Sequence, residues 1–334
     1  MLKKIFYIKI IIFNLKFSFK NYLSYLNKGA YSLGNNSDIL SKDDLSINTF
    51  EKYNKKNIVK KILLNYISKK KLIVKNDGDK FNGDCMLITS SFEQFKFIDF
   101  KNKKLLTKYL NREKYFFMIK NINYAKKNFN IPSIIDYNDE DFTIIESFME
   151  NERISTDILF RKIMEFYIEN KFEEKYKGIN CFNNIKKEIN KFHLVLDELS
   201  ELDILNFEYI KLHGDLWRSN VIFCDGNLYF IDFENICIAP FFYDIYFYIF
   251  SSAYIENDFY LLNNYIIGYY DELFSNFFEK YSCRYYSDKK RDYFMIFLKF
   301  YTYYKWSNLS KREMKNELNK LNKFINCIWR GKNE

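Results

Sequence analysis

The sequence predicts an α+β chain of two lobes, a small antiparallel sheet followed by a mainly helical region. Three observations predict it. Between residues 86 and 149 short apolar runs alternate with polar turns, as strands do. From residue 154 onward apolar side chains recur at spacings of three and four, as on helix faces. At 334 residues the chain is long enough for two buried cores. The division that follows is a basic N-terminal extension over 1–71, a sheet lobe over 72–147 and a helical lobe over 148–334.

The extension carries the charge. Residues 1–71 hold 15 lysines against 4 acidic side chains, while the other 263 residues hold 37 basic and 39 acidic ones. The extension opens like a signal peptide, but Lys9, Asn14 and Lys16 interrupt its apolar run and no small-residue cleavage site follows. No stretch approaches the roughly 20 apolar residues of a spanning helix. A basic, aromatic-rich helix can lie on an anionic surface, which makes residues 1–22 a candidate peripheral membrane contact. The plainer expectation is that they pack on the rest of the protein. No arginine precedes Arg112 and no nucleic-acid-binding motif is present, so no nucleic-acid partner is expected. The six cysteines show no Cys-x-x-Cys spacing and read as free thiols in a reducing, cytoplasmic setting. With 36 Phe and 29 Tyr against 9 Gly and 2 Pro, the aromatic excess reads as composition bias, the rings filling cores and helix faces.

In the sheet lobe, Met86 to Thr89 reads as a strand, and Phe92 to Phe100 as a second. Lys101-Asn102-Lys103 is a polar turn, and Lys104 to Tyr109 returns as a third strand. Glu113 opens a helical stretch, Lys114 to Lys127, with Phe116, Phe117, Ile119, Ile122 and Tyr124 on its apolar face. Phe142 to Met149 is a buried-strand pattern that ends in the polar Glu150-Asn151-Glu152. Helices are expected over Ile154 to Glu169, Asn184 to Leu205, Ala253 to Phe278, Arg291 to Tyr304 and Lys311 to Trp329.

The chemistry concentrates in residues 213–234. His213-Gly214-Asp215-Leu216-Trp217-Arg218-Ser219-Asn220 leads into an apolar run, Val221 to Cys224. Asp225-Gly226 is a tight-turn dipeptide, and Leu228 to Ile231 is apolar again, so the segment reads as a β-hairpin. Folding it back pairs Asn220 with Ile231 or its neighbour, which brings the Asn220 amide oxygen and the Asp232 carboxylate to the open end. Two hard oxygen ligands suit magnesium. Asp215 stands five residues upstream, where a carboxylate can meet an attacking hydroxyl.

These residues, with Ile231-Asp232-Phe233-Glu234 and then Tyr243-Asp244, resemble the aminoglycoside phosphotransferase and choline kinase superfamily. The run HGDLWRSNVIF is also similar to fructosamine kinases and bacterial lipopolysaccharide core kinases. The resemblance implies a two-lobed protein-kinase-like fold, ATP with Mg2+ as cofactors (GTP being the alternative nucleotide), and transfer to a hydroxyl of a small molecule or glycan. Carried over to this chain, it makes 213–220 the catalytic loop, with Asp215 as base and His213 as its scaffold. It makes 231–234 the metal motif, with Asn220 and Asp232 as metal ligands, and gives Asp244 a bracing role. Glu234 stands where eukaryotic protein kinases carry glycine.

A kinase of this type needs a strand lysine to hold the nucleotide phosphates and a carboxylate to hold that lysine. Lys108 with Glu113 is the reading, Lys96 on the preceding strand the competitor. No Gly-x-Gly-x-x-Gly loop occurs, and Ser90-Ser91 takes the phosphate-covering position. Glu146 to Phe148 is expected to meet adenine. The acceptor site falls to residues 151–205 and 253–330, yet the 13 acidic and 10 basic side chains of 148–212 favour neither a cationic nor an anionic acceptor. The extension tilts the expectation toward a cell-envelope sugar kinase, ahead of an aminoglycoside or choline kinase. A pseudokinase that binds nucleotide without turnover is the reading from another class.

Overall fold

A computed structural model describes residues 22–33, 39–41, 72–74, 79–88, 93–172, 175–176, 207–307 and 309–330. It divides into two compact units, one reaching Lys120 and resuming over Pro132–Glu150, the other comprising Asn121–Ile131 and Asn151 onward.

The first unit is an antiparallel sheet of eight strands: β1 (Gly29–Leu33), β2 (Ile39–Ser41), β3 (Leu72–Val74), β4 (Cys85–Ile88), β5 (Gln94–Asp99), β6 (Lys104–Tyr109), β7 (Ile134–Asn138) and β8 (Thr143–Ser147). Their order across the sheet is β3-β1-β2-β4-β5-β6-β8-β7. The sheet therefore begins inside residues 1–71, which the sequence set apart as an extension. The physical reason is Tyr31, a fully buried ring whose hydroxyl donates to the carbonyls of Asn27 (2.8 Å) and Gly83 (3.0 Å). Of the candidate membrane contact, residues 1–21 lie outside the described residues.

Side chains directly opposite in an antiparallel pair share a face, and successive ones alternate. Phe95 pairs with Lys108 and Phe97 with Leu106, and this face is covered by Tyr22, 4.8 Å from Phe95, and by Tyr25, stacked at 5.1 Å on Phe97. Lys96 pairs with Thr107 and so lies on the other face, with Tyr109. The helix α1 (Arg112–Asn128) begins on that side, the rings of Tyr109 and Tyr115 lying 6.0 Å apart. Asn111 caps it, its side chain accepting from the backbone N–H of Glu113 at 2.7 Å.

The second unit holds α2 (Thr156–Glu169), a three-stranded sheet of β9 (Lys175–Tyr176), β10 (Tyr209–Leu212) and β13 (Cys237–Pro240), and the hairpin β11 (Val221–Cys224) with β12 (Asn227–Phe230). Five helices follow: α3 (Tyr243–Tyr254), α4 (Tyr260–Ile267), α5 (Asp271–Lys280), α6 (Lys290–Trp306) and α7 (Lys311–Arg330). The expected helix over 253–278 is instead the end of α3, then α4 and α5. Gly268 stops α4 in a left-handed conformation (φ 93°), with the N–H of Tyr269 returning to the Asn264 carbonyl at 3.0 Å. Most of α3 escaped the periodicity because all residues from Tyr243 to Ala253 are buried, and a helix apolar all round has no period to detect. The helix expected over 184–205 lies outside the described residues. Among the described residues no helix is long and apolar enough to cross a membrane.

Candidate active site

The hairpin β11–β12 turns through Asp225 (φ 50°) and Gly226 (φ 74°), both left-handed, as a two-residue turn with strand-matched twist requires. Val221 faces Phe230, and the N–H of Ile231 donates to the Asn220 carbonyl at 3.0 Å, so Asn220 and Ile231 close the ladder and Asp232 follows at its open end. Asp232 is itself left-handed (φ 66°, ψ 61°), which costs a non-glycine residue about 1–3 kcal/mol and persists only when its surroundings hold it. The next residue supplies the hold: Phe233 is buried, and its carbonyl accepts from the Asn121 side chain at 2.8 Å.

The loop before the hairpin is organised by Asp244 in the first turn of α3. Its fully buried carboxylate accepts from the backbone N–H of His213 (2.8 Å), the backbone N–H of Gly214 (2.9 Å) and the Tyr167 hydroxyl (2.7 Å). Burial pushes the Asp244 carboxyl above its ordinary value, and His213 and these donors oppose the shift. His213 is also fully buried. The Asp215 N–H lies 3.3 Å from its Nδ1, which assigns the ring proton to Nε2, 2.8 Å from the Ile231 carbonyl. Both ring nitrogens are thus occupied, and Nε2 ties the loop to the end of β12. Gly214 (φ 77°) passes so close to the next turn that a Cβ there would stand 1.9 Å from the Asn235 carbonyl oxygen.

Asp215 emerges half-buried from this frame. Its Oδ1 accepts from Lys305 of α6 at 2.6 Å, its Oδ2 from the Asn235 amide at 3.4 Å, and its backbone carbonyl from Asn220 Nδ2 at 2.9 Å. With Nδ2 committed inside the loop, Asn220 has its amide oxygen to offer a cation. The donor set of amide oxygen and carboxylate fits a hard divalent ion such as magnesium.

Residues 185–277, which contain Asp215, Asn220, Asp232 and Asp244 but not Asn121, Tyr167 or Lys305, match the phosphotransferase enzyme family. The match covers the catalytic-loop candidate and the hairpin and leaves the chain outside 185–277 unmatched. Over these residues the match agrees with the resemblance read from the motif, while likeness to lipopolysaccharide core and fructosamine kinases remains a reading of the motif alone. No curated protein matches the chain. Solved structures with similar folds include an aminoglycoside phosphotransferase from Streptomyces rimosus, at 14% identity over 64% of this chain and 91% of that one, with a TM-score of 0.41. A choline kinase from Streptococcus pneumoniae is another, at 12% identity over 73% of this chain and 92% of that one, with a TM-score of 0.44. Likenesses so distant say nothing of what this chain acts on.

In the first unit the expected pair of Lys108 and Glu113 does not form. The Lys108 ammonium donates to the Asp141 carbonyl and lies 4.0 Å from that residue's carboxylate, in the turn between β7 and β8. Glu113 is exposed in the first turn of α1. The reason is strand alternation, which sends Lys108 to the face covered by Tyr22 and Tyr25, while Tyr109 on the opposite face meets the helix. Burial lowers the Lys108 ammonium below its ordinary value, and Asp141 opposes the shift. Lys96 is half-buried on the helix-side face and makes no hydrogen bond or ion pair among the described residues. Glu146 pairs across the sheet with Leu105. The Phe148 N–H donates to the Lys103 carbonyl at 2.8 Å, so that atom is taken within the sheet and not open to adenine. Ser90 and Ser91 lie outside the described residues.

Four residues of the site had not been singled out in the sequence: Asn121, Tyr167, Asn235 and Lys305. Asn121 carried a signal, a polar amide among the apolar positions of α1 that ends nine-tenths buried. Lys305 carried none, being one lysine among many.

Proposed function

We propose that the protein is an ATP-dependent kinase that phosphorylates a hydroxyl of a small molecule or glycan, with Asp215 as the general base. The observation that carries the reading is that Asp215 and Asn220, joined by a hydrogen bond from Asn220 Nδ2 to the Asp215 carbonyl, and Asp232, next to the anchored Phe233, lie at one end of the hairpin inside the segment that matches the phosphotransferase family. Asn220 and Asp232 would hold magnesium, which neutralises phosphate charge in such a transfer. Asp215 would take the acceptor's proton as the hydroxyl oxygen attacks the γ-phosphorus.

For the nucleotide phosphates, Lys96 on the helix-side face, which makes no hydrogen bond or ion pair among the described residues, replaces Lys108 in this reading. A cell-envelope sugar as acceptor drew its support from residues 1–22, and no described contact favours it over an aminoglycoside or choline.

Nucleotide consumption by purified protein against sugars, lipopolysaccharide core, choline and aminoglycosides identifies the acceptor class. Asp215→Asn should retain ATP binding and lose roughly 10²- to 10⁴-fold in turnover. Asp232→Ala should lose magnesium-dependent nucleotide binding by calorimetry. Normal turnover in the first variant, or unchanged MgATP affinity in the second, overturns the assignment. A chain that binds MgATP and turns over nothing is a nucleotide-binding module instead.

A further inference from the structure

We infer that Lys305 is a positioning residue for phosphoryl transfer and decides which oxygen of Asp215 receives the acceptor's proton, an inference that rests on Asp215 being the base. Lys305 stands in the last turn of α6, 90 residues beyond Asp215 in sequence, with its Nζ 2.6 Å from Oδ1. The side chains are only 22% and 23% exposed, so the pair is partly shielded from water. A contact of that length between an ammonium and a carboxylate is a short charge-assisted hydrogen bond. The other oxygen, Oδ2, receives only the Asn235 amide at 3.4 Å, near the limit of a hydrogen bond.

The carboxylate is thus anchored through one oxygen and weakly engaged at the other. An incoming hydroxyl displaces the weaker contact, so Oδ2 is the oxygen that takes the proton. As it does, the acceptor oxygen bonds to the γ-phosphorus, the bond from that phosphorus to the β,γ-bridging oxygen breaks, and ADP leaves; the proton on Oδ2 then passes to solvent.

The position of the ammonium is set by helix packing and not by the loop it serves. Its Nζ lies 5.3 Å from the centroid of the Phe247 ring on α3. The neighbouring Tyr304 hydroxyl donates to the Ile238 carbonyl at 2.6 Å, pinning the end of α6 to β13. Lys305 also sets a positive charge beside the point where the proton and the phosphoryl group move in opposite directions, where preorganised charge is most effective.

Basal MgATP hydrolysis, with water as acceptor, supplies the test without knowledge of the natural substrate. Using the full chain, Lys305→Met should lower kcat roughly tenfold to hundredfold, as a misplaced reacting group does. KM for ATP should not change, and Lys305→Arg should restore most of the rate by returning a cation to Oδ1. In an Asp215→Asn background, adding Lys305→Met should cost nothing further, because the oxygen it positions is no longer a base. An unchanged kcat in Lys305→Met overturns the inference, as do losses that multiply in the double variant, which mark a merely structural lysine. Should the methionine variant fail to fold, Lys305→Gln carries the same comparison. A wild type without magnesium-dependent hydrolysis, or an Asp215→Asn variant that keeps it, instead overturns the kinase reading and this inference with it.

Discussion

In the second unit, backbone donors of His213 and Gly214 and the Tyr167 hydroxyl of α2 converge on the buried carboxylate of Asp244. In the first unit, two lysines share the partly exposed carboxylate of Asp141, with Lys80 2.6 Å and Lys108 4.0 Å from it. The first arrangement has no water to fall back on, so each missing partner leaves an unsatisfied buried group. The second exchanges protein partners for water at little cost. Damage to the loop should therefore appear as lost stability and lost turnover together, while damage to the lysine strands should appear mainly in nucleotide binding.

The strongest way to break this contrast is Gly214→Ala. The added Cβ would overlap a backbone carbonyl at 1.9 Å in a left-handed residue, and no flexible side chain can move aside. A loss above about 4 kcal/mol in denaturant unfolding is expected, together with loss of turnover. A stable, active variant would show that the loop is looser than its hydrogen bonds imply.

Asp244→Ala comes next. It strands two backbone N–H groups and the Tyr167 hydroxyl, which should cost about 3 kcal/mol or more. Asp244→Asn keeps one acceptor oxygen and should cost less. Equal unfolding midpoints for the two variants would mean that the carboxylate is not the organiser.

The lysines sharpen the comparison from the other side. Lys96→Met should raise KM for ATP roughly tenfold, the ~1.4 kcal/mol of one charge-assisted contact, with the unfolding midpoint unchanged. Lys108→Met should alter KM little. If the two results are exchanged, the phosphate-holding face is the one covered by Tyr22 and Tyr25.

The smallest effect belongs to Asp141. A hydrogen bond from Lys80 holds its carboxyl below the ordinary value of 3.8, against a smaller opposing contribution from burial. A folded value lower than the unfolded one gives stability that is present above pH 3.8 and lost as the pH falls through the folded value. Asp141→Asn should flatten the acid limb of the stability curve by less than about 1 kcal/mol, because the pair is partly exposed. An unaltered limb would mean that Lys80 and Asp141 do not hold together in solution.

What the residues determined by themselves was local. The hairpin over 221–230 follows from two apolar runs around Asp225-Gly226, and β6 from Lys104 to Tyr109 follows from the polar turn before it. Both are set by neighbours a few positions away, where turn chemistry and side-chain spacing act directly. Gly268 was legible too, a stop signal inside an apolar run that periodicity alone read through.

Tertiary structure decided the rest. Lys108 and Glu113 are five positions apart and still face different ways, because a strand sends successive side chains to opposite faces before the helix begins. Asn121 meets the Phe233 carbonyl across 112 positions, and Lys305 meets Asp215 across 90. Contacts of that span are set by how whole helices and strands pack their apolar surfaces, a property of the summed burial of many residues and not of the two that finally touch. The sequence therefore named a candidate base and candidate ligands, which lie within 18 residues of one another, and left to packing the choice of the cation that pairs with Asp215.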